Sequence, residues 1–177
     1  MSDTYYVKTF GGLEITNDNV TVNIVELFGK QLVNLLQVLL FHSEKPVQKD
    51  ELIDILWPES KNPSSALKFS IFRLRAELNE IEFFKDKEVI VTTRKGYILN
   101  PNLDWNIDFV ELEKAYNQIN DGSELLDEKE FKTARKIFRL YQGRFYASPS
   151  QLHWILQKQE IFRQMYVKTM MRTSVSY

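Results

Sequence analysis

Between Gly29 and His42, Leu32, Leu35, Leu36, Leu39 and Leu40 recur at intervals of three and four, the spacing of a single buried face on an α-helix. Pro46 prevents that helix from running further. A shorter helix is predicted over residues 50–57, with Asp50 and Glu51 at the end where the helix dipole favours acids and Pro58 closing the segment. The next helix opens at Asn62-Pro63, where Asn is suited to cap free amides and Pro loses no needed hydrogen bond, and it runs to about Asn79. On either side of these helices the pattern shortens to strand length. Tyr5 to Asn23 consists of brief β-favouring runs broken by Gly11-Gly12 and Asn17-Asp18-Asn19, which predicts a small antiparallel sheet with the Asn-Asp-Asn cluster as a hairpin turn. Val89 to Thr93 and Tyr97 to Leu99 predict two strands joined by the basic turn Arg94-Lys95-Gly96.

Asn100-Pro101-Asn102 interrupts regular structure and predicts a boundary between residues 1–101 and 102–177. Beyond it the spacing is helical. Phe109, Leu112, Tyr116 and Ile119 share one face, and Phe131, Ala134, Ile137, Phe138 and Tyr141 share another before Gly143. A third, long helix is predicted from Ser148-Pro149 through Arg172, with Leu152, Ile155, Phe162, Met165, Tyr166 and Met170 at helical spacing and Trp154 beside them. These aromatics read as helix-on-helix core, so no cofactor is expected.

Within the 63–79 helix, Leu67, Ile71, Leu74 and Leu78 form a narrow core-facing stripe. At ~100° per residue, Ser65, Phe69, Phe72, Arg73 and Ala76 fall on the opposite side, with Lys68 and Arg75 on one flank. A polar, basic and aromatic face suits the DNA major groove: Ser and Lys meet base edges, Phe meets thymine methyls, and Arg holds guanine or phosphate. The competing readings of the same face are a solvated helix and a protein contact through Phe69 and Phe72. Arg94 and Lys95 at a strand-turn-strand tip are placed to reach phosphates beside that groove.

Charge narrows the picture. The 177 residues hold 23 Lys and Arg against 24 Asp and Glu, a formal charge of −1, so any nucleic-acid affinity must come from a local patch. Residues 61–95 supply one, with eight bases against five acids. Residues 1–101 as a whole carry twelve bases and fourteen acids, which predicts modest and salt-dependent binding. The absence of cysteine excludes disulfides and cysteine-based zinc or nucleophile chemistry. His42 and His153, the two histidines, stand too far apart in sequence to suggest a metal motif. Gly11-Gly12 and Gly29 lack the companions of a phosphate-binding loop, and no enzyme activity or metal is expected. The longest apolar run, Val38 to Phe41, is far short of a membrane span, and the first ten residues lack the apolar block of an export signal, so a cytoplasmic location without membrane contact is expected.

Four stretches resemble the winged helix-turn-helix of OmpR-type regulators, in the version found in Streptomyces antibiotic regulatory proteins. They are Lys8 to Ile15 (KTFGGLEI), Asp50 to Trp57 (DELIDILW), Ile71-Phe72-Arg73-Leu74-Arg75, and Arg94 to Leu99 (RKGYIL), covering the span from Tyr6 to Leu99 in order. Asp108 to about Arg172 is similar to the opening helices of the bacterial transcriptional activator domain that follows it in that family, through Phe109 to Ile119, Gly143-Arg144-Phe145, Trp154 and Glu160. The resemblance implies an α+β winged helix-turn-helix, with an N-terminal antiparallel sheet, three helices and a C-terminal hairpin wing, followed by an all-α tetratricopeptide-like domain. It also implies helices beyond the third, so the sequence is expected to be a fragment or to complete its stack with a second copy. Two positions depart from the family: Ser65 stands where many relatives carry arginine, and Gln48 where the antibiotic regulators favour a serine cap. No receiver domain precedes the winged helix in this sequence, so phosphorylation control is not implied.

The leading expectation is a sequence-specific DNA-binding transcriptional regulator. Its DNA-binding residues are Ser65, Lys68, Phe69, Phe72, Arg73, Arg75, Arg94 and Lys95, and its partner is double-stranded DNA, with RNA polymerase and a homodimer mate as further candidates. The alternative is a protein-interaction module whose winged helix no longer binds DNA.

Overall fold

A computed structural model describes residues 4–119, 125–147 and 152–176. The chain forms two compact units, one from Met1–Thr4 and Ile24–Asp104, the other from Tyr5–Asn23 and Trp105–Tyr177.

In the first unit a short helix, α1 (Ile24–Leu27), leads into α2 (Lys30–Phe41), α3 (Lys49–Leu56) and α4 (Pro63–Asn79). The leucine spacing that predicts α2 is met, but every residue from Leu32 to Leu40 is buried, including Asn34 and Gln37, so α2 is a central helix rather than an amphipathic one. α3 buries only Leu52 and offers its remaining sides to solvent or partial cover. α4 buries Leu67, Ile71, Leu74 and Leu78, the expected stripe, together with Ser70. Neither Gln48 nor Asn62 caps its helix by a side-chain hydrogen bond. The expected Asn62 cap is replaced by Pro63 in the first turn and a Ser60 hydroxyl that accepts from the Asn62 N–H at 3.2 Å. After one 3₁₀ turn at Glu82–Phe84 come β4 (Ile90–Thr93) and β5 (Gly96–Leu99), paired antiparallel from Ile90↔Leu99 to Thr93↔Gly96. On its other edge β5 is joined by Val47, whose N–H donates to the Tyr97 carbonyl at 2.8 Å while the Tyr97 N–H donates to the Val47 carbonyl at 3.0 Å.

The second unit holds a four-stranded sheet of order β3-β2-β1-β6, with β1 (Thr4–Lys8), β2 (Glu14–Asn17), β3 (Val20–Asn23) and β6 (Asp104–Ile107). β1 and β2 are antiparallel, as are β2 and β3, and Asn17↔Val20 closes the hairpin over Asp18-Asn19 with Asp18 at φ 51°. The Asn-Asp-Asn turn expected from the sequence is therefore present. Tyr5 and Val7 point to the buried side of β1 while Tyr6 is exposed, the alternation of a sheet with one wet face. Residues 102–177 are not purely helical as expected, because β6 precedes α5. Its Asp-Trp-Asn-Ile sequence lines up beside β1 and brings Trp105 to 5.4 Å from Tyr5, ring centre to ring centre.

Three helices follow: α5 (Asp108–Gln118), α6 (Glu128–Leu140) and α7 (His153–Ser176). The expected start of the third at Ser148-Pro149 lies outside the described residues. α6 opens with a reciprocal cap in which Asp127 accepts from the Glu130 N–H at 2.8 Å and Glu130 accepts from the Asp127 N–H at 2.9 Å. On α7 the buried line is Ile155, Phe162 and Thr169, spaced by seven, and Met170 lies off it and is exposed. Thr169 tolerates burial because its hydroxyl donates to the Met165 carbonyl at 2.8 Å. Phe10 inserts among Tyr141, Phe145 and Phe162, with ring centres 5.2, 6.0 and 5.4 Å away, so the expected aromatic core includes the segment after β1. That segment is stitched down by Gly11 N–H to Arg144 carbonyl at 2.8 Å and Tyr146 N–H to Thr9 carbonyl at 2.7 Å.

Candidate nucleic-acid interface

α3, a six-residue connection and α4 make a helix-turn-helix whose second helix presents the face set opposite its leucine stripe. Ser65, Lys68, Phe69, Phe72 and Arg73 are all exposed on it. Phe69 is 63% and Phe72 71% exposed, an expensive arrangement for two large aromatics in water and the feature of this helix that most calls for a partner. The Arg73 guanidinium lies 5.9 Å from the centre of the Phe69 ring and 3.7 Å from Glu77, so its charge sits beside the aromatic pair rather than away from it. α4 has no acid in its first turn, whereas α3 carries Asp50 and Glu51 there. The positive end of α4 is thus left open to an anion, and that of α3 is already screened.

The wing is the hairpin of β4 and β5. Arg94 and Lys95 are exposed at its tip. Thr93 holds the turn: its hydroxyl donates to the Gly96 carbonyl at 3.1 Å and accepts from the Lys95 N–H at 3.1 Å. Neither Arg94 nor Lys95 takes a positive φ; Gly96 does, at 139°. A side chain there would place its Cβ 1.9 Å from the Val47 carbonyl oxygen, so glycine is required both by backbone angle and by the close approach of Val47 to β5.

Arg75 differs from the other candidates. It is half-buried, and its guanidinium donates to the Ile90 carbonyl at 3.0 and 3.3 Å and to the Thr92 hydroxyl at 2.8 Å, bracing α4 against the first wing strand. Replacing Arg75 by methionine is expected to cost about 1–3 kcal/mol, because two backbone-directed bonds and one hydroxyl bond are lost from a partly sheltered site. Urea denaturation checks this, and a change under ~0.3 kcal/mol would show that water replaces the brace without penalty. Lys49, which the sequence reading passed over, opens α3 and sets its ammonium 5.9 Å from the Tyr97 ring centre, next to the wing. Its only sequence signal is a base preceding two acids at a helix start.

Among the described residues no group of His, Asp or Glu side chains is arranged to hold a metal ion, and no helix is long and apolar enough to cross a membrane.

Comparison with known proteins agrees with this geometry. Residues 23–99 match the family described as "Transcriptional regulatory protein, C terminal". No curated protein matches this sequence at a significant level. Among solved structures, Mycobacterium tuberculosis EmbR in complex with a low-affinity phosphopeptide is similar at 17% identity and a TM-score of 0.59, over 94% of this chain and 43% of that one. This chain therefore spans less than half the length of that protein, and the likeness is one of fold. The DNA-binding domain of E. coli CadC is 25% identical over 52% of this chain and 87% of that domain, with a TM-score of 0.40. The helix-turn-helix and the hairpin coincide with the matched segment, so residues 23–99 form a winged helix similar to the C-terminal domain of transcriptional regulatory proteins.

Proposed function

We propose that the protein is a sequence-specific DNA-binding transcriptional regulator related to the antibiotic regulatory proteins. α4 lies in the major groove with Ser65, Lys68, Phe69, Phe72 and Arg73 toward base edges and nearby phosphates, while Arg94 and Lys95 clamp the backbone. Arg75 contributes by setting the wing against α4, and Lys49 adds a cation at the mouth of the site. The functional division falls near residue 101, with DNA binding before it and regulation through a tetratricopeptide-like helical part after it, although β1–β3 share a compact unit with the later helices. That later part serves dimerisation or contact with RNA polymerase. The observation that carries the reading is the exposed aromatic and basic face of α4 inside a segment of matching family.

Duplexes selected from a random pool, titrated by fluorescence anisotropy, test the geometry. Arg73→Ala is expected to weaken specific binding by about 1–3 kcal/mol, while Lys95→Ala weakens all sequences alike and reduces the salt slope by about one. Unchanged affinity in both variants rules the docking out. The net acidity of residues 1–101 favours a second reading, a winged helix that holds a protein partner through Phe69 and Phe72. Failure to retard random duplex at low salt, together with a stable protein complex in a pull-down, would select it.

A further inference from the structure

We infer that α4 is a reader of 5-methylpyrimidines, its Phe69 and Phe72 rings together enclosing the methyl group that thymine or 5-methylcytosine presents in the major groove. The inference rests on the proposed DNA-binding role and specifies what the surface recognises. Phe69 and Phe72 are three residues apart and stand ~60° apart around the helix axis, so their rings flank one ridge line rather than opposite sides. Both point outward, and within the ridge Ser65 and Ala76 on the neighbouring turns are too small to cover them. The only apolar group on the major-groove edge of an unmodified base pair is the thymine 5-methyl, and 5-methylcytosine carries its methyl at the same ring position.

Charge around the pair selects DNA as the occupant. Lys68 lies on one flank of the ridge and Arg73 on the other, and the first turn of α4 carries no acid. An apolar protein surface would have to bury these cations, whereas a duplex meets the rings with methyls and the cations with phosphates or guanine. Ser65 fits the same assignment. The short, exposed hydroxyl leaves room for a duplex to approach the two rings.

The test uses the intact protein and its best duplex from a random pool. Each thymine is exchanged in turn for deoxyuridine, which removes the methyl and keeps every hydrogen-bonding atom. At one or two positions the affinity is expected to fall about threefold to tenfold, the effect of one buried methyl. Cytosine at the same positions should bind weakly and 5-methylcytosine should recover a similar factor. Phe72→Ala and Phe69→Ala should each shrink the thymine-to-uracil difference while leaving the salt dependence of binding unaltered. Tight binding to the selected duplex with equal affinity for thymine and uracil at every position overturns the inference and leaves the DNA-binding role standing. A pool that yields no bound duplex overturns both.

Discussion

Replacing Asp108 by alanine is expected to destabilise the protein by about 3–5 kcal/mol, a large part of the ~5–15 kcal/mol that holds an ordinary domain together. Asp108 is the first residue of α5 and is buried. One carboxylate oxygen accepts from the Thr9 N–H at 2.8 Å and the Phe10 N–H at 3.0 Å, and the other accepts from the Thr9 hydroxyl. Thr9 and Phe10 are themselves fully buried, so alanine leaves three donors without an acceptor and without access to water. Burial raises the Asp108 carboxyl above its ordinary value, and the hydrogen bonds from Thr9 and Phe10 only partly offset that. A carboxyl whose folded pKa is raised contributes stability that is complete below the unfolded pKa and is lost as pH rises from about 4 through the folded value. Urea denaturation across that window should show this decline in the native protein and its absence in Asp108→Asn. A flat profile in the native protein would show that the folded carboxyl is not raised, and a loss under ~1 kcal/mol in the alanine variant would show that the donors find other acceptors.

Gly96→Ala should be the most damaging single change in the winged helix. The new Cβ would fall 1.9 Å from the Val47 carbonyl oxygen and 2.6 Å from its carbon, and the backbone angle of +139° is itself one that an L side chain rarely adopts. Retreat is blocked from both sides. Thr93↔Gly96 pairing fixes the residue to β4, and the two Val47–Tyr97 hydrogen bonds of 2.8 and 3.0 Å fix it to the segment before α3. Strain of about 1–3 kcal/mol from the backbone angle adds to the loss of one of those pairings, giving a total above ~3 kcal/mol. Thermal denaturation checks the magnitude, and DNA titration at a temperature where the variant is folded should show a wing that no longer contributes to the salt slope. Stability within ~0.5 kcal/mol of the native protein would mean that the Val47 segment moves freely.

What the sequence made legible was whatever repeats locally. The α4 stripe is legible because Leu67, Ile71, Leu74 and Leu78 need no other part of the chain to define a face, and the outward position of Ser65, Lys68, Phe69, Phe72 and Arg73 follows from it by rotation. The β2–β3 hairpin is legible because Asn17-Asp18-Asn19 carries its own turn chemistry. β6 was not, since four residues after an Asn-Pro-Asn break have too little pattern to declare a strand, and only Trp105 and Ile107 two apart hint at one. The bracing role of Arg75 and the place of Lys49 were not legible for a related reason. Their partners, Ile90 and Thr92 for one and Tyr97 for the other, lie 15 to 48 residues along the chain, and nothing in composition links them. On α7 the seven-residue spacing of Ile155, Phe162 and Thr169 was hidden because a threonine does not look like core until its hydroxyl bond is known.

The second unit takes its opening strands from Tyr5–Asn23, ahead of α1 to β5, and this bears on where the chain can be cut. Recombination near residue 101 would carry β1–β3 away with the upstream portion and strand Asp108 without the Thr9 and Phe10 donors it receives. Residues 102–177 therefore do not carry the whole of the second unit, and severed from β1–β3 they lack three strands of its sheet.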